Sequence, residues 1–189
     1  LSSDGVWVVI TDSTVDRTTT SSGSVDSFSA ADMSLMDAGL WFDPDYYYSG
    51  TTNIPTLAEV LEVCGRYGIH PIMNIPLATI TAGEAQDLLD LVLAKYPDYN
   101  FTIGTSPLTV EVLEEIRELD SRAHMSLIGG YSDANVDLAV GLGNCDLAVG
   151  FTGIANTTYA RQNGVEVATT NHSTQDSINT SLSKGISTF

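Results

Sequence analysis

From residue 56 onward, short apolar runs rich in β-branched residues alternate with amphipathic helical patterns, which restricts the chain to a parallel sheet wrapped by helices. Thr56 to Glu59 is a capping box, and Leu57, Val60, Leu61 and Cys64 then fall at the i, i+3, i+4, i+7 spacing of one buried helix face. Gly65 and Gly68 end that helix. Residues 69–75 read as a strand stopped by Pro76, which cannot continue a central ladder. A second capping box, Thr81 with Glu84, opens a helix carrying Ala85, Leu88, Leu89 and Val92 on one face. The cycle repeats with strands at 100–104, 123–128, 145–150, 165–170 and 185–188 and helices at 109–121, 132–142, 155–162 and 173–182. Short apolar strands are buried on both faces, so a TIM-type (β/α)8 barrel is favoured, with an open doubly wound sheet as the alternative. Neither a Gly-x-Gly-x-x-Gly nor a P-loop follows any strand, and a nucleotide gains no support.

The first 55 residues differ in texture. Val6-Trp7-Val8-Val9-Ile10 reads as a strong strand, residues 11–27 are polar, and residues 42–53 form an aromatic loop with Tyr46, Tyr47 and Tyr48. Long loops inside a compact domain usually carry function. With 189 residues, 43% of them hydrophobic, the chain reads as one folded domain over 1–189 with a long polar and aromatic loop insertion at about 11–55.

Charge removes several classes of partner. Seven Lys and Arg against 24 Asp and Glu leave a net charge of −17, so nucleic acids and anionic membranes are repelled. No apolar run approaches the roughly 20 residues of a bilayer span, and residues 1–5 lack the basic end and apolar centre of a signal peptide. Cys64 and Cys145 lie far apart with no Cys-x-x-Cys, so zinc and redox motifs are absent, and two buried free thiols are preferred over a disulfide. The acidic, hydroxyl-rich composition is of a kind common on exported proteins and virion surfaces.

The stretch from Asp4-Gly5 through Val6-Trp7-Val8-Val9-Ile10, Thr11-Asp12 and Asp16-Arg17-Thr18, then Gly23 and Ile54-Pro55-Thr56-Leu57-Ala58-Glu59, resembles the glycerophosphodiester phosphodiesterase family. That family's sequences read Asp-Gly, an apolar strand, His-Asp, Asp-Arg-Thr and a Pro-Thr-Leu-Glu-Glu helix start. Downstream, Met73-Asn74-Ile75-Pro76 stands at the family's Ile-Glu-Ile-Lys strand, Ala168-Thr169-Thr170-Asn171 at its Trp-Thr-Val-Asn, and Lys184-Gly185-Ile186-Ser187-Thr188 at its closing strand. The resemblance implies a (β/α)8 barrel whose first strand or two are missing from this chain, either omitted upstream or supplied by another chain.

The resemblance also implies where the family's chemistry is altered. Its two-histidine acid/base cleavage, assisted by a carboxylate-held divalent cation, would place one histidine at Thr11, and a threonine hydroxyl cannot exchange a proton near neutral pH as imidazole does. The metal-binding glutamate corresponds to Asn74 and the nearby lysine to Pro76. The expectation is a degenerate, N-terminally incomplete member with no catalytic residue and no metal or cofactor of its own, with Asp43 and Asp45 the nearest reserve of carboxylates. It would serve as a binding or structural module of a secreted or virion-surface protein, bacterial or phage, and as part of a homo-oligomer or larger assembly. Cell-wall glycerophosphate polymers or glycerophosphodiesters are the implied ligands. The alternative is an active phosphodiesterase using Ca²⁺ or Mg²⁺, with catalytic groups supplied from outside the chain.

Four residues are candidates for substrate binding: Asp12, Arg17, Asn74 and Asn171. Asp12 and Arg17 have a plainer role as a salt bridge fixing a turn, and His172, beside Asn171, reads as a surface histidine. His70 and His124, at strand starts, belong to a barrel's stability face. Trp7, Trp41, Phe42 and the three tyrosines suit either a sugar-stacking platform or loop packing. Glu111, Glu114, Glu115 and Glu118 read as a solvated helix face.

Overall fold

The computed structural model describes residues 1–41, 45, 48–150, 157–169 and 187–188. Their contacts divide into two compact units, Leu1–Ile69 and His70–Phe189.

The first unit is built by caps and turns more than by sheet. Helix α1 (Ala30–Met33) and helix α2 (Leu57–Arg66) each begin with a complete capping box, Ser29 with Asp32 and Thr56 with Glu59. Residues 6–10 do not form the expected strand; only Val8 bridges to Thr56 in antiparallel sense. Val9 N–H donates to the Pro55 carbonyl and Leu57 N–H to that of Trp7, but Pro55 has no N–H to return and Thr56 already turns the chain into α2. The ladder therefore stops after one rung. The polar stretch expected as a loop is instead folded back on itself: Thr14 bridges to Ser24, and a 3₁₀ turn occupies Val25–Ser27. Val15, Val25, Met33, Met36 and Ile54 close into a small core beneath it. Five apolar residues scattered among hydroxyls thus organise the insertion. At Gly39 a Cβ would stand 2.1 Å from the Tyr48 carbonyl oxygen, so only glycine lets these segments touch.

The second unit is a six-stranded parallel sheet in strict sequential order, with no reversal. Its strands are β1 (Ile72–Asn74), β2 (Thr102–Thr105), β3 (Met125–Gly129), β4 (Cys145–Val149), β5 (Val167–Thr169) and β6 (Ser187–Thr188). Helices α3 (Ala82–Leu93), α4 (Glu111–Leu119), α5 (Asp133–Leu142) and α6 (Thr158–Gln162) lie in the connections from β1 to β5. Doubly wound sheets reverse their strand order at a switch point, whereas barrels add each strand beside the last, and only the second pattern is present. The sheet is a barrel wall.

Burial explains the composition of these elements. All four residues of β2 and four of five in β4 are buried, as a sheet covered on both faces requires. Leu88, Leu89 and Val92 of α3, Val112, Leu113 and Ile116 of α4, and Val136 and Ala139 of α5 are buried against it. Gly104 allows the close approach of β2 and β3, because a Cβ there would meet Ile128 Cδ1 at 2.7 Å and the Ser126 carbonyl at 3.0 Å. The glutamates of α4 stay on its outer side, Glu111, Glu114 and Glu118 exposed. The expected helix at 173–182 lies outside the described residues, as do Thr170 and the start of the expected helix at 155.

Candidate functional site

Active groups of parallel barrels collect at the carboxyl ends of the strands. In the second unit, β1 to β5 end in Asn74, Thr105, Gly129, Val149 and Thr169. Asn74 is exposed at the end of β1 and in register with Gly104. Pro76, two residues on, is also exposed. Thr105 is fully buried and its hydroxyl donates to the Ile75 carbonyl at 2.8 Å, holding the turn that leaves β1. Thr109 Oγ1 lies 2.6 Å from Thr105 Oγ1. These ends therefore present amide, hydroxyl and backbone groups.

A divalent cation such as Ca²⁺ or Mg²⁺ needs several oxygen ligands, some of them anionic. None of those five strand ends is a carboxylate, and no group of three His, Cys, Asp or Glu side chains among the described residues is arranged to hold a metal. The donors at these strand ends do not fit such an ion.

In the first unit, Asp12 and Arg17 are brought together. Arg17 Nε donates to Asp12 Oδ2 at 2.6 Å and Nη2 to Oδ1 at 3.1 Å, a two-point fork. The guanidinium carbon also lies 5.3 Å from the centre of the Trp41 ring. The Arg17 hydrogen bonds hold the Asp12 carboxyl below its ordinary range. Five residues apart, the two side chains meet because Val15 between them is fully buried in the small core, which anchors the turn from beneath. Thr11 is exposed beside this pair. Trp41 was legible only as a loop aromatic; nothing local marked it as the face on which Arg17 rests.

The other residues singled out from sequence divide cleanly. Asn171, His172, Phe42, Asp43, Tyr46 and Tyr47 lie outside the described residues. Cys64 and Cys145 are free and half-buried, and burial pushes the Cys145 thiol up to about 12. His70 and His124 stand at the amino ends of β1 and β3, the end of the sheet away from Asn74. Asp37 was missed: its carboxylate accepts from the N–H groups of Gly39, Leu40 and Gly50 and from the Ser49 hydroxyl, tying residues 37–40 to 49–50. An aspartate two residues before a glycine is a turn signal that could have located it.

Residues 1–100 match the glycerophosphoryl diester phosphodiesterase family. The chain belongs to that family. A glycerophosphodiester phosphodiesterase of Caldanaerobacter subterraneus subsp. tengcongensis is 43% identical over 65 residues, which are 34% of this chain and 26% of that protein. One of Bacillus subtilis is 38% identical over 76 residues, 37% of this chain and 25% of that protein. The matched segments thus span about a quarter of the curated relatives' own length. Among solved structures, a phosphodiesterase of Oleispira antarctica, in complex with the product sn-glycerol-3-phosphate, superposes with a TM-score of 0.84 at 18% identity, covering 100% of this chain and 76% of that one. The glycerophosphodiester phosphodiesterase of Agrobacterium tumefaciens gives 0.75 at 17% identity, covering 99% and 78%. The family's (β/α) barrel fold follows, in agreement with the sequential parallel sheet. Within this family the Thr11-Asp12 pair stands where the resemblance puts His-Asp, and Asn74 where it puts a glutamate.

Proposed function

We propose that this chain is a catalytically degenerate glycerophosphodiester phosphodiesterase-like module that binds a glycerophosphate group without cleaving it. The observation that carries the reading is the replacement of a proton-exchanging and a metal-holding residue together, Thr11 and Asn74. Phosphodiester cleavage needs a proton delivered to the leaving alkoxide and stabilisation of charge at phosphorus. General acid–base assistance supplies typically ~10²–10⁴-fold and preorganised electrostatics often more. Neither Thr11 nor Asn74 supplies its share.

Binding would rest on Arg17. An exposed ion pair is weakly held, so a phosphodiester oxygen can displace Asp12 from the guanidinium. The net charge of −17 opposes an anion at long range, and physiological salt screens that field to about 8 Å while leaving the contact itself. Poly(glycerol phosphate) of a cell wall suits such a module, and so does an exported or virion-surface setting, in keeping with the acidic, hydroxyl-rich composition. A second reading, a working metal-dependent phosphodiesterase completed by groups outside this chain, is favoured by the names of its relatives.

One experiment separates the two. Purified protein incubated with glycerophosphocholine and Mg²⁺ or Ca²⁺ should release no measurable product, and Thr11→His alone should not restore turnover. Metal-dependent hydrolysis abolished by Asp12→Ala would overturn the proposal in favour of the enzyme. Calorimetry with glycerol 3-phosphate should show weak saturable binding that Arg17→Ala removes.

A further inference from the structure

The amino ends of four strands are joined by polar side chains at the end of the sheet away from Asn74. His70 precedes β1, Thr102 opens β2, His124 precedes β3 and Asp146 is the second residue of β4. His70 Nδ1 lies 2.8 Å from Asn100 Oδ1, and its Nε2 lies 2.9 Å from Thr102 Oγ1. The same threonine oxygen is 3.0 Å from His124 Nδ1. His124 Nε2 then stands 3.8 Å from Asp146 Oδ2. The chain of contacts crosses β1, β2, β3 and β4 in order.

Counting protons gives this chain a direction. Asn100 Oδ1 can only accept, so His70 carries its proton on Nδ1 and, when neutral, leaves Nε2 bare. Thr102 has a single hydroxyl proton and donates it to that nitrogen. Its oxygen then accepts from His124 Nδ1–H. What remains is His124 Nε2 facing Asp146, and that contact is attractive only if one further proton lies between them, on the imidazole or on the carboxyl. Without it, a nitrogen lone pair faces a carboxylate.

The surroundings make the proton matter. The Asp146 side chain is only 8% exposed, and its Oδ1 has no hydrogen-bond partner among the described residues. Burial pushes its carboxyl up, the Ser126 hydroxyl and then nearby His124 oppose the rise, and Glu166 at the entry to β5 adds to it. Cys145 beside it is held neutral by burial, with Arg117 opposing that shift, so it brings no charge at ordinary pH.

We propose that His70, Thr102, His124 and Asp146 form a proton-held latch across the amino ends of β1 to β4, and that loss of the proton between His124 and Asp146 loosens that end of the sheet. The sign follows from linkage: a carboxyl raised above its unfolded value contributes stability at low pH that is lost as pH rises through the folded value. Asp146→Asn is the informative variant, because its amide does not titrate and can turn its N–H toward a bare His124 Nε2 or its oxygen toward a protonated one.

The test is the thermal midpoint of the whole chain between about pH 5.5 and 8.5, wild type against Asp146→Asn in the same buffers, so that effects of the overall acidity are shared. The wild-type midpoint should fall relative to the variant by about 2–4 °C across the range, the shift expected on losing one attractive polar contact in a chain of this size. Nitrogen-15 NMR of the wild-type ring, which needs no variant to fold, should show His124 carrying a proton on Nδ1 throughout, the tautomer that the Thr102 contact requires. Parallel slopes for the two proteins would overturn the latch. So would a neutral His124 carrying its proton on Nε2 beside an ionised Asp146 over the whole range.

Discussion

Phe101→Ala should lower the stability of the chain by about 3–5 kcal/mol, measured as the shift of the urea midpoint at constant slope. Among the described residues Phe101 is the bulkiest fully buried side chain, at 0% exposure. Its ring stacks on Tyr99 with centroids 5.8 Å apart and planes inclined by 27°. Truncation removes the transfer free energy of the ring and leaves a void that the neighbouring backbone, committed to the start of β2, cannot close. A domain is stable by only about 5–15 kcal/mol in total, so a loss of this size brings the variant close to unfolding. Phe101→Leu, which refills most of the volume, should recover the larger part. An Ala variant within about 1 kcal/mol of wild type would show that the ring sits in a loosely packed region.

Arg117→Ala should cost about 2–3 kcal/mol, the range for losing charge-assisted hydrogen bonds and stranding their acceptors. Arg117 lies in the last turn of α4, where a cation also suits the helix dipole. Its guanidinium donates to the carbonyl of Ser121, to that of Ala123 at 2.9 Å and to that of Gly143 at 2.6 Å. One side chain thereby staples the loop entering β3 to the loop entering β4. Burial pulls its pKa below the ordinary arginine value, yet a guanidinium remains charged at any pH at which the chain folds. Arg117→Lys separates charge from shape: an ammonium keeps the charge but cannot fork across several carbonyls, so it should recover less than half of the loss. Full recovery by lysine would show that charge alone matters there.

Helix starts were the most legible part of the fold. Thr56 with Glu59 and Thr81 with Glu84 close complete capping boxes where the spacing put them, and the faces carrying Leu57 and Leu61, or Leu88, Leu89 and Val92, are the buried ones. The strand at residues 6–10 was misread although its propensity is high, because a strand needs a partner able to return its hydrogen bonds. Pro55 and the capped Thr56 cannot. Residues 11–55 read as a loop because Val15, Val25, Met33, Met36 and Ile54 follow no helical or strand period, so their common core was invisible along the chain. In the candidate site, the Asp12 and Arg17 pair was legible because the two residues lie in one turn, whereas the face of Trp41 under Arg17 was not.

By itself the sequence determined the family and the helix registers, since both are written in residues a few places apart. Only the tertiary structure decided which distant groups share a proton or a carbonyl. His70 meets Thr102, Thr102 meets His124, and Arg117 reaches Gly143 across separations of 32, 22 and 26 residues. Helical and strand periods come from backbone geometry and act over one or two turns. These partners are set by the register of neighbouring parallel strands, which depends on how whole βα units pack.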